Sequence, residues 1–285
     1  MTELDFEFLR AFLKARSGLS LTAEKQYLVE SRLGPVCRRF ELDDLSELTR
    51  GLKAGRDADL EKAVVEAMTT NETFFFRDKA PFDVFRDVLL PRYLASRGAA
   101  RRLRIWSAAA SSGQEPYSLA MLLSEAAPRL AGWQVDIVAT DISTEILEKA
   151  RSGLYSQFEV QRGLPIQLLL KYFTQVGDQW QIAPQIRSMV SFRPLNLIKE
   201  FGHLGTFDII YCRNVLIYFD SPMKADVLKR LASSMARDGA LLLGAAETVI
   251  SLTTALSPDP AYRGLYGRAA QPVQASAPLR MVGAR

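Results

Sequence analysis

From about residue 101, short apolar runs alternate with amphipathic stretches, and this rhythm restricts the fold more than any other feature of the chain. RLRIWSAAA leads into EPYSLAMLLSEAA, and QVDIVATD into STEILEKARSG; SMVSFRPLN, FDIIYCRN, SPMKADVLKRLASSMA and GALLLGAAE follow later. Runs this uniformly apolar suit strands covered on both faces, which occur in parallel sheets flanked by helices. Repetition of strand and helix therefore predicts an α/β fold with a doubly wound, Rossmann-like sheet. Such sheets bind ligands beyond the carboxyl ends of their strands, near the point where strand order reverses.

Residues 4 to 66 read instead as helix after helix: LDFEFLRAFLKARSG, LTAEKQYLVESRLGPVCRRF, DLSELTRGLKAG and DADLEKAVVEAM, punctuated by Gly and by capping Thr and Asp. A helical domain over 1–70 is expected, joined to a sheet domain over 71–268. Charge is split within the first domain. Residues 10 to 39 carry seven Lys/Arg against two acids, and residues 40 to 66 carry four against eight, so one face should be basic. Residues 155–187 interrupt the sheet rhythm with a helix-like LPIQLLLKYF and the hairpin FTQVGDQWQI, whose Gly177-Asp178 pair suits a type II′ turn. They read as a small inserted antiparallel β-subdomain. The Ala/Pro-rich stretch 269–285 has no periodicity and is expected to be a flexible tail.

Composition excludes several function classes. The formal charge of +4 is spread without the dense basic, aromatic-rich run of a nucleic-acid binder. Two cysteines, Cys37 and Cys212, make neither a disulfide framework nor a zinc motif, which points to a reducing compartment. The amino-terminal MTELDFEFLRAFL has no basic region or long apolar run, so a cytoplasmic chain without membrane insertion is expected. A single histidine, His203, falls in a loop and reads as a surface residue, which weakens hydrolase and metalloenzyme readings.

The ends of the predicted strands carry the chemistry. In WSAAASSGQEPYS a helix should begin near Glu115-Pro116, since proline suits the first helical position. The dinucleotide fingerprint is absent, and Glu115 puts a carboxylate where a pyrophosphate would otherwise meet the helix. Asp141 ends the strand VDIVATD, where an acid can accept hydrogen bonds from ribose hydroxyls. Together they favour a nucleoside without phosphates, such as S-adenosylmethionine, although both acids would also serve as plain helix caps. FDIIYCRNVLIYFD delivers Arg213 and Asn214 to a strand end and then Tyr218, which could face a reacting group or be an ordinary core tyrosine. In MTTNETFFFRD the three consecutive rings fit neither a strand nor a helix period, so the segment reads as a bend or the lip of a pocket.

TTNETFFFR, WSAAASSGQEPYS, TDIS, LNL and CRNVLIYFD, in this order, resemble the CheR-type chemotaxis receptor methyltransferases, over roughly residues 5 to 268. The resemblance implies methyl transfer from S-adenosylmethionine to glutamate side chains of chemoreceptors, giving methyl esters. It implies cofactor contacts for Asn71, Thr73, Arg77, Glu115, Asp141, Asn196, Leu197, Arg213 and Asn214, with Asp141 on the ribose and the Asn196-Leu197 pair near the adenine. Arg77 and Tyr218 fall on positions proposed to act on the substrate. Lys25, Arg32 and Arg39, spaced by seven with Arg38 adjacent, are expected to dock an acidic receptor surface. Some members of the family bind a receptor-tail pentapeptide through a glycine-rich hairpin; FTQVGDQWQI is short and has one glycine, so pentapeptide-independent binding is expected. Methylation of RNA and an idle cofactor-binding adaptor are the competing readings. The first is weakened by the lack of a dense basic, aromatic-rich patch and by the extent of the match, and the presence of Arg77, Glu115, Asp141 and Tyr218 argues against the second. No unexplained apolar stripe demands a partner copy, so a monomer is expected. At least one of Phe74, Phe75 and Phe76 is expected to wall the pocket, the others to anchor the joint between domains.

Overall fold

The computed structural model describes residues 1–269. The expected flexible tail falls outside the described residues from 270 onward. Helices α1 (Glu3–Ser17), α2 (Gln26–Arg39), α3 (Leu45–Ala54) and α4 (Ala58–Met68) pack around Leu9, Leu13, Val29, Leu33, Leu48 and Val64, all fully buried. Three of these helices start where the sequence supplies a cap. Thr2 and Asp5 form a reciprocal capping box on α1, and Asp44 and Asp57 accept the backbone N–H of Glu47 and Leu60 on α3 and α4. Ser46 Oγ also donates to Asp5, so one carboxylate ties α1 to α3, and these hydrogen bonds pull its pKa down to about 2. Gly18 closes α1 at φ +77°, and a Cβ there would meet Ile198 and Phe219 at 2.8–2.9 Å. The helical domain thus touches the sheet domain where only glycine fits.

After a turn over residues 75–78 come α5 (Ala80–Val84), a π-helical turn (Phe85–Leu89) and α6 (Leu90–Ser96). The chain then runs through β1 (Arg102–Ala108), α7 (Gln114–Glu125), β2 (Gln134–Asp141) and α8 (Thr144–Ser152). An insertion follows: β3 (Leu154–Ser156), α9 (Gln157–Gln161), α10 (Ile166–Tyr172), β4 (Phe173–Val176), β5 (Gln179–Ile182) and α11 (Pro184–Arg187). The sheet is completed by β6 (Val190–Pro194), β7 (Phe207–Cys212), α12 (Ser221–Ser233), β8 (Met235–Leu243), β9 (Leu256–Pro258) and β10 (Leu265–Arg268).

The main sheet has seven strands in the order β6-β2-β1-β7-β8-β10-β9. All pairings from β6 to β8 are parallel, and β10 runs antiparallel to both β8 and β9. The apolar runs are explained by burial on two sides. Ile105, Ile137, Ala139, Ile209, Tyr211 and Leu242 enter one core, while Trp106, Val138, Ile210, Cys212, Leu241 and Leu243 enter the other. Each fully buried large apolar side chain of this kind contributes about 1.5–3 kcal/mol. The doubly wound sheet, its helical amino-terminal partner and the small antiparallel sheet, ordered β3-β5-β4, are the architecture the sequence predicts. Val176 pairs with Gln179 across Gly177-Asp178, and Gly177 has φ +63° while Asp178 keeps a negative φ, as a type II′ turn requires.

Two local expectations are corrected. Helix α7 begins at Gln114, so Pro116 is its third residue rather than its first; its missing N–H still falls in the first turn, where no intrahelical acceptor exists. None of Phe74, Phe75 and Phe76 lines the cleft described below. Phe75 is fully buried edge-on against Tyr155 and Phe173, and Phe76 stacks edge-on against Phe82. Phe76 itself adopts φ +52°, a left-handed bend that turns the chain and sends adjacent rings to different partners.

Candidate functional site

Strand order reverses at β1, from which the chain moves outward through β2 and β6 and then returns to the other side for β7 and β8. A cleft of about 1010 Å³, including its open mouth, lies over the carboxyl ends of these strands. Asn71, Thr73, Arg77, Glu115, Asp141, Asn196, Leu197, Arg213, Asn214 and Tyr218 all line it. The ten positions singled out in the sequence, spread over about half the chain, are thus brought into one cavity. Ser17 and Leu19, at the end of α1, and Met68, at the end of α4, complete the wall from the helical side.

Its floor is charged and internally paired. Arg213 follows directly on β7, and its side chain is 2% exposed. Nη1 donates to Glu115 Oε2 at 2.9 Å, and Nη2 donates to Asp78 Oδ2 at 2.7 Å and to the carbonyl of Arg77 at 2.9 Å. Ser107 Oγ donates to the other oxygen of Glu115 at 2.8 Å. Burial pushes the Glu115 carboxyl above its usual range, against the opposing pull of Arg213. Among the described residues, the Nε of Arg213 has no acceptor. Asp141, buried at the end of β2, accepts the backbone N–H of Ser111 at 2.8 Å and of Ser143 at 3.0 Å. Burial raises its pKa while those N–H groups hold it down.

Glu247 was not visible as a site residue in the sequence. It accepts four backbone hydrogen bonds: Oε2 from Gly244 at 2.7 Å and Asn214 at 2.9 Å, Oε1 from Val215 at 3.0 Å and Leu216 at 2.8 Å. This carboxylate holds Asn214 in the left-handed region, φ +58°, and starts the 3₁₀ turn Leu216–Tyr218 that presents the tyrosine. From the other side, the N–H of Ser20 donates to the carbonyl of Tyr218 at 2.8 Å, and Lys14 pairs with Asp220 at 2.6 Å. Asn196 Nδ2 likewise donates to the carbonyl of Arg16 at 2.6 Å. Both domains therefore fix the same rim.

Arg77 is braced within its own segment. Its Nη1 donates to the carbonyl of Glu72 at 2.8 Å, and its guanidinium carbon lies 5.5 Å from the Phe74 ring centroid. Of the four basic residues expected on a docking face, Lys25, Arg38 and Arg39 are exposed. Arg32 is instead committed inward: it donates to the carbonyls of Met68 and Thr69, each at 2.9 Å, and to Thr70 Oγ1 at 3.1 Å. All three acceptor residues line the cleft. Arg32 and Arg39 also border a second groove with Glu66, Ser143 and Glu145, which shares Asn71 with the cleft. His203 is exposed, and among the described residues no helix is long and apolar enough to cross a membrane.

Residues 4–69 match the family described as CheR methyltransferase, all-alpha domain, and residues 71–262 match CheR methyltransferase, SAM binding domain. A chemotaxis protein methyltransferase of Vibrio parahaemolyticus is 45% identical over 256 residues, 89% of this chain and 92% of its own. Chemotaxis protein methyltransferase 1 of Vibrio cholerae is 46% identical over 85% of this chain and 88% of its own, and that of Pseudomonas aeruginosa 44% identical over 87% and 91%. With the cleft at the switch point of the sheet and S-adenosylmethionine as methyl donor, the chain belongs to the CheR family of chemotaxis methyltransferases.

Proposed function

We propose that the protein transfers the methyl group of S-adenosylmethionine to glutamate side chains in the cytoplasmic coiled coil of chemoreceptors, giving glutamate methyl esters. The observation that carries this reading is the convergence of an ion-paired floor, Arg213–Glu115, with Arg77 and Tyr218 in a single cleft that contains no histidine. The residues present fit the cofactor. Arg213 Nε is a buried donor in need of an acceptor, which the amino-acid carboxylate of the cofactor offers, and Asp141 stands where ribose hydroxyls are accepted in nucleotide-binding sheets. Asn71, Thr73, Glu115 and Asn214 would contact the methionine portion together with Arg213, and Asn196 and Leu197 the adenine. The cofactor supplies a methyl group on a positively charged sulfur.

A free glutamate has a pKa of about 4.3 and is ionised at neutral pH, so the reaction needs no general base. What the chain contributes is position and dryness. Arg77 and Tyr218 orient the acceptor carboxylate, and the rim held by Glu247 and Ser20 keeps Tyr218 fixed while it does so. Transfer from a cationic sulfur to an anionic oxygen cancels both charges, and a cleft that excludes water favours the transition state over the separated ions. Lys25, Arg38 and Arg39 remain on the surface to meet an acidic receptor helix in the cytoplasm, with the enzyme acting as a single chain.

A labelled-methyl assay on a receptor cytoplasmic fragment tests this. The label should be released as methanol by mild alkali, as an ester requires, and should disappear when each acceptor glutamate is changed to alanine. Alkali-stable label would rule out the ester. The insertion presents a four-residue edge strand, β4, and a two-residue turn with one glycine. These features support binding independent of a receptor-tail pentapeptide, so a calorimetric titration with the free pentapeptide should give no saturable heat, and micromolar affinity would refute that part.

A further inference from the structure

Among the described residues, five charged side chains line the cleft: Glu72, Arg77, Glu115, Asp141 and Arg213. Glu115 is satisfied by Arg213, and Asp141 by two backbone N–H groups. Glu72 is different. Its carboxylate is more than half exposed at the mouth, and its partner comes from outside the cleft: Arg162 Nη2 lies 2.7 Å from Glu72 Oε1. Arg162 follows α9 in the inserted subdomain, some 90 residues away in sequence. Its guanidinium carbon also sits 4.4 Å from the Phe74 ring centroid, while that of Arg77 lies 5.5 Å from the same centroid. Hydrogen bonding from Arg162, with the charges of Arg162 and Arg77, holds the Glu72 carboxyl below its usual range, so it stays ionised.

The insertion is packed closely against this segment. Gly163 has φ +84°, and a Cβ on it would stand 2.1 Å from the carbonyl oxygen of Phe75 and 3.1 Å from Phe74. The turn that carries Arg162 is seated flush on the segment that carries Glu72 and Arg77, which fixes the guanidinium over its target.

We propose that Arg162 is a specificity-determining residue of the inserted subdomain, neutralising Glu72 at the mouth so that an anionic acceptor can reach Arg77. This rests on the reading of the acceptor as a carboxylate. An unpaired Glu72 would repel such an acceptor during approach, whereas the cofactor carries a positive sulfur and is not repelled by it. One cation therefore acts on substrate entry from a part of the chain that lies outside the cleft.

The test is steady-state methyl transfer to a receptor cytoplasmic fragment by the parent enzyme, Arg162→Ala, Arg162→Lys and Arg162→Ala/Glu72→Gln. Cofactor affinity is measured in parallel by calorimetry. Arg162→Ala should raise the acceptor KM about three- to fivefold at low salt, less at high salt, with cofactor Kd within about twofold. Arg162→Lys should keep most of the parent KM, and the double variant should return to it. A double variant as impaired as Arg162→Ala, or an unchanged KM in Arg162→Ala, overturns the role of Arg162. A weakened cofactor Kd in Arg162→Ala overturns it too, because the residue would then be structural. Failure of the parent enzyme to methylate the fragment overturns the acceptor reading itself, and the two failures are thereby separate.

Discussion

Arg213→Leu is expected to lower the stability to unfolding in urea by about 3–5 kcal/mol, because removing one partner of a buried ion pair leaves the other charge without compensation. Glu115 would keep only the Ser107 hydroxyl as donor, and the Asp78 carboxylate and the Arg77 carbonyl would lose theirs. Arg77 would shift with its backbone, so calorimetric titration with S-adenosylmethionine should show no saturable binding. The companion variant Arg213→Leu/Glu115→Gln should recover much of the stability, since a neutral amide is far cheaper to bury than a carboxylate, yet should not recover cofactor binding. Loss of less than about 1 kcal/mol in the single variant would contradict the pairing as the source of rigidity in the floor.

Glu247→Ala is the second large effect. Four backbone N–H groups lose their acceptor at once, and even with water entering the space the cost should reach about 3 kcal/mol. Activity should fall further than stability suggests. Asn214 would leave its left-handed conformation and the Leu216–Tyr218 turn would loosen, and displacement of a positioned group by about 1 Å costs on the order of a hundredfold in rate. Glu247→Gln should be intermediate, since its amide nitrogen would face donors that need an acceptor. If Glu247→Ala loses stability but keeps kcat within about threefold, the residue only supports the fold.

How much of this was legible in the sequence follows from what each feature depends on. The ends of β2 and β7 could be located because an apolar run stops at a polar residue, and Asp141 and Arg213 are where those runs stop. Glu247 could not be found that way. Its role arises from the register that sets Cys212 beside Leu243, a long-range pairing with no local signal. Arg32 and Arg39 lie on α2 and Lys25 in the turn before it, but spacing by seven does not show what approaches a helix face, and the carbonyls of Met68 and Thr69 approach Arg32. The three phenylalanines are identical neighbours, so only the backbone bend at Phe76 decides which ring enters the core. Arg162 gave no signal, because its partner Glu72 lies on a different element far along the chain.

The anchoring of Met68–Thr70 by Arg32 has a consequence for how such enzymes diverge. One stretch of backbone is both a wall of the cofactor cleft and the landing point of a side chain from the helix expected to meet the receptor. If α2 meets the receptor as proposed, a lineage that replaces Arg32 for a new partner would disturb a wall of its own cleft at the same stroke. On the proposed docking of this helix, exposed Lys25 and Arg38 are the positions freest to change, while Arg32 should change only together with the residues it holds.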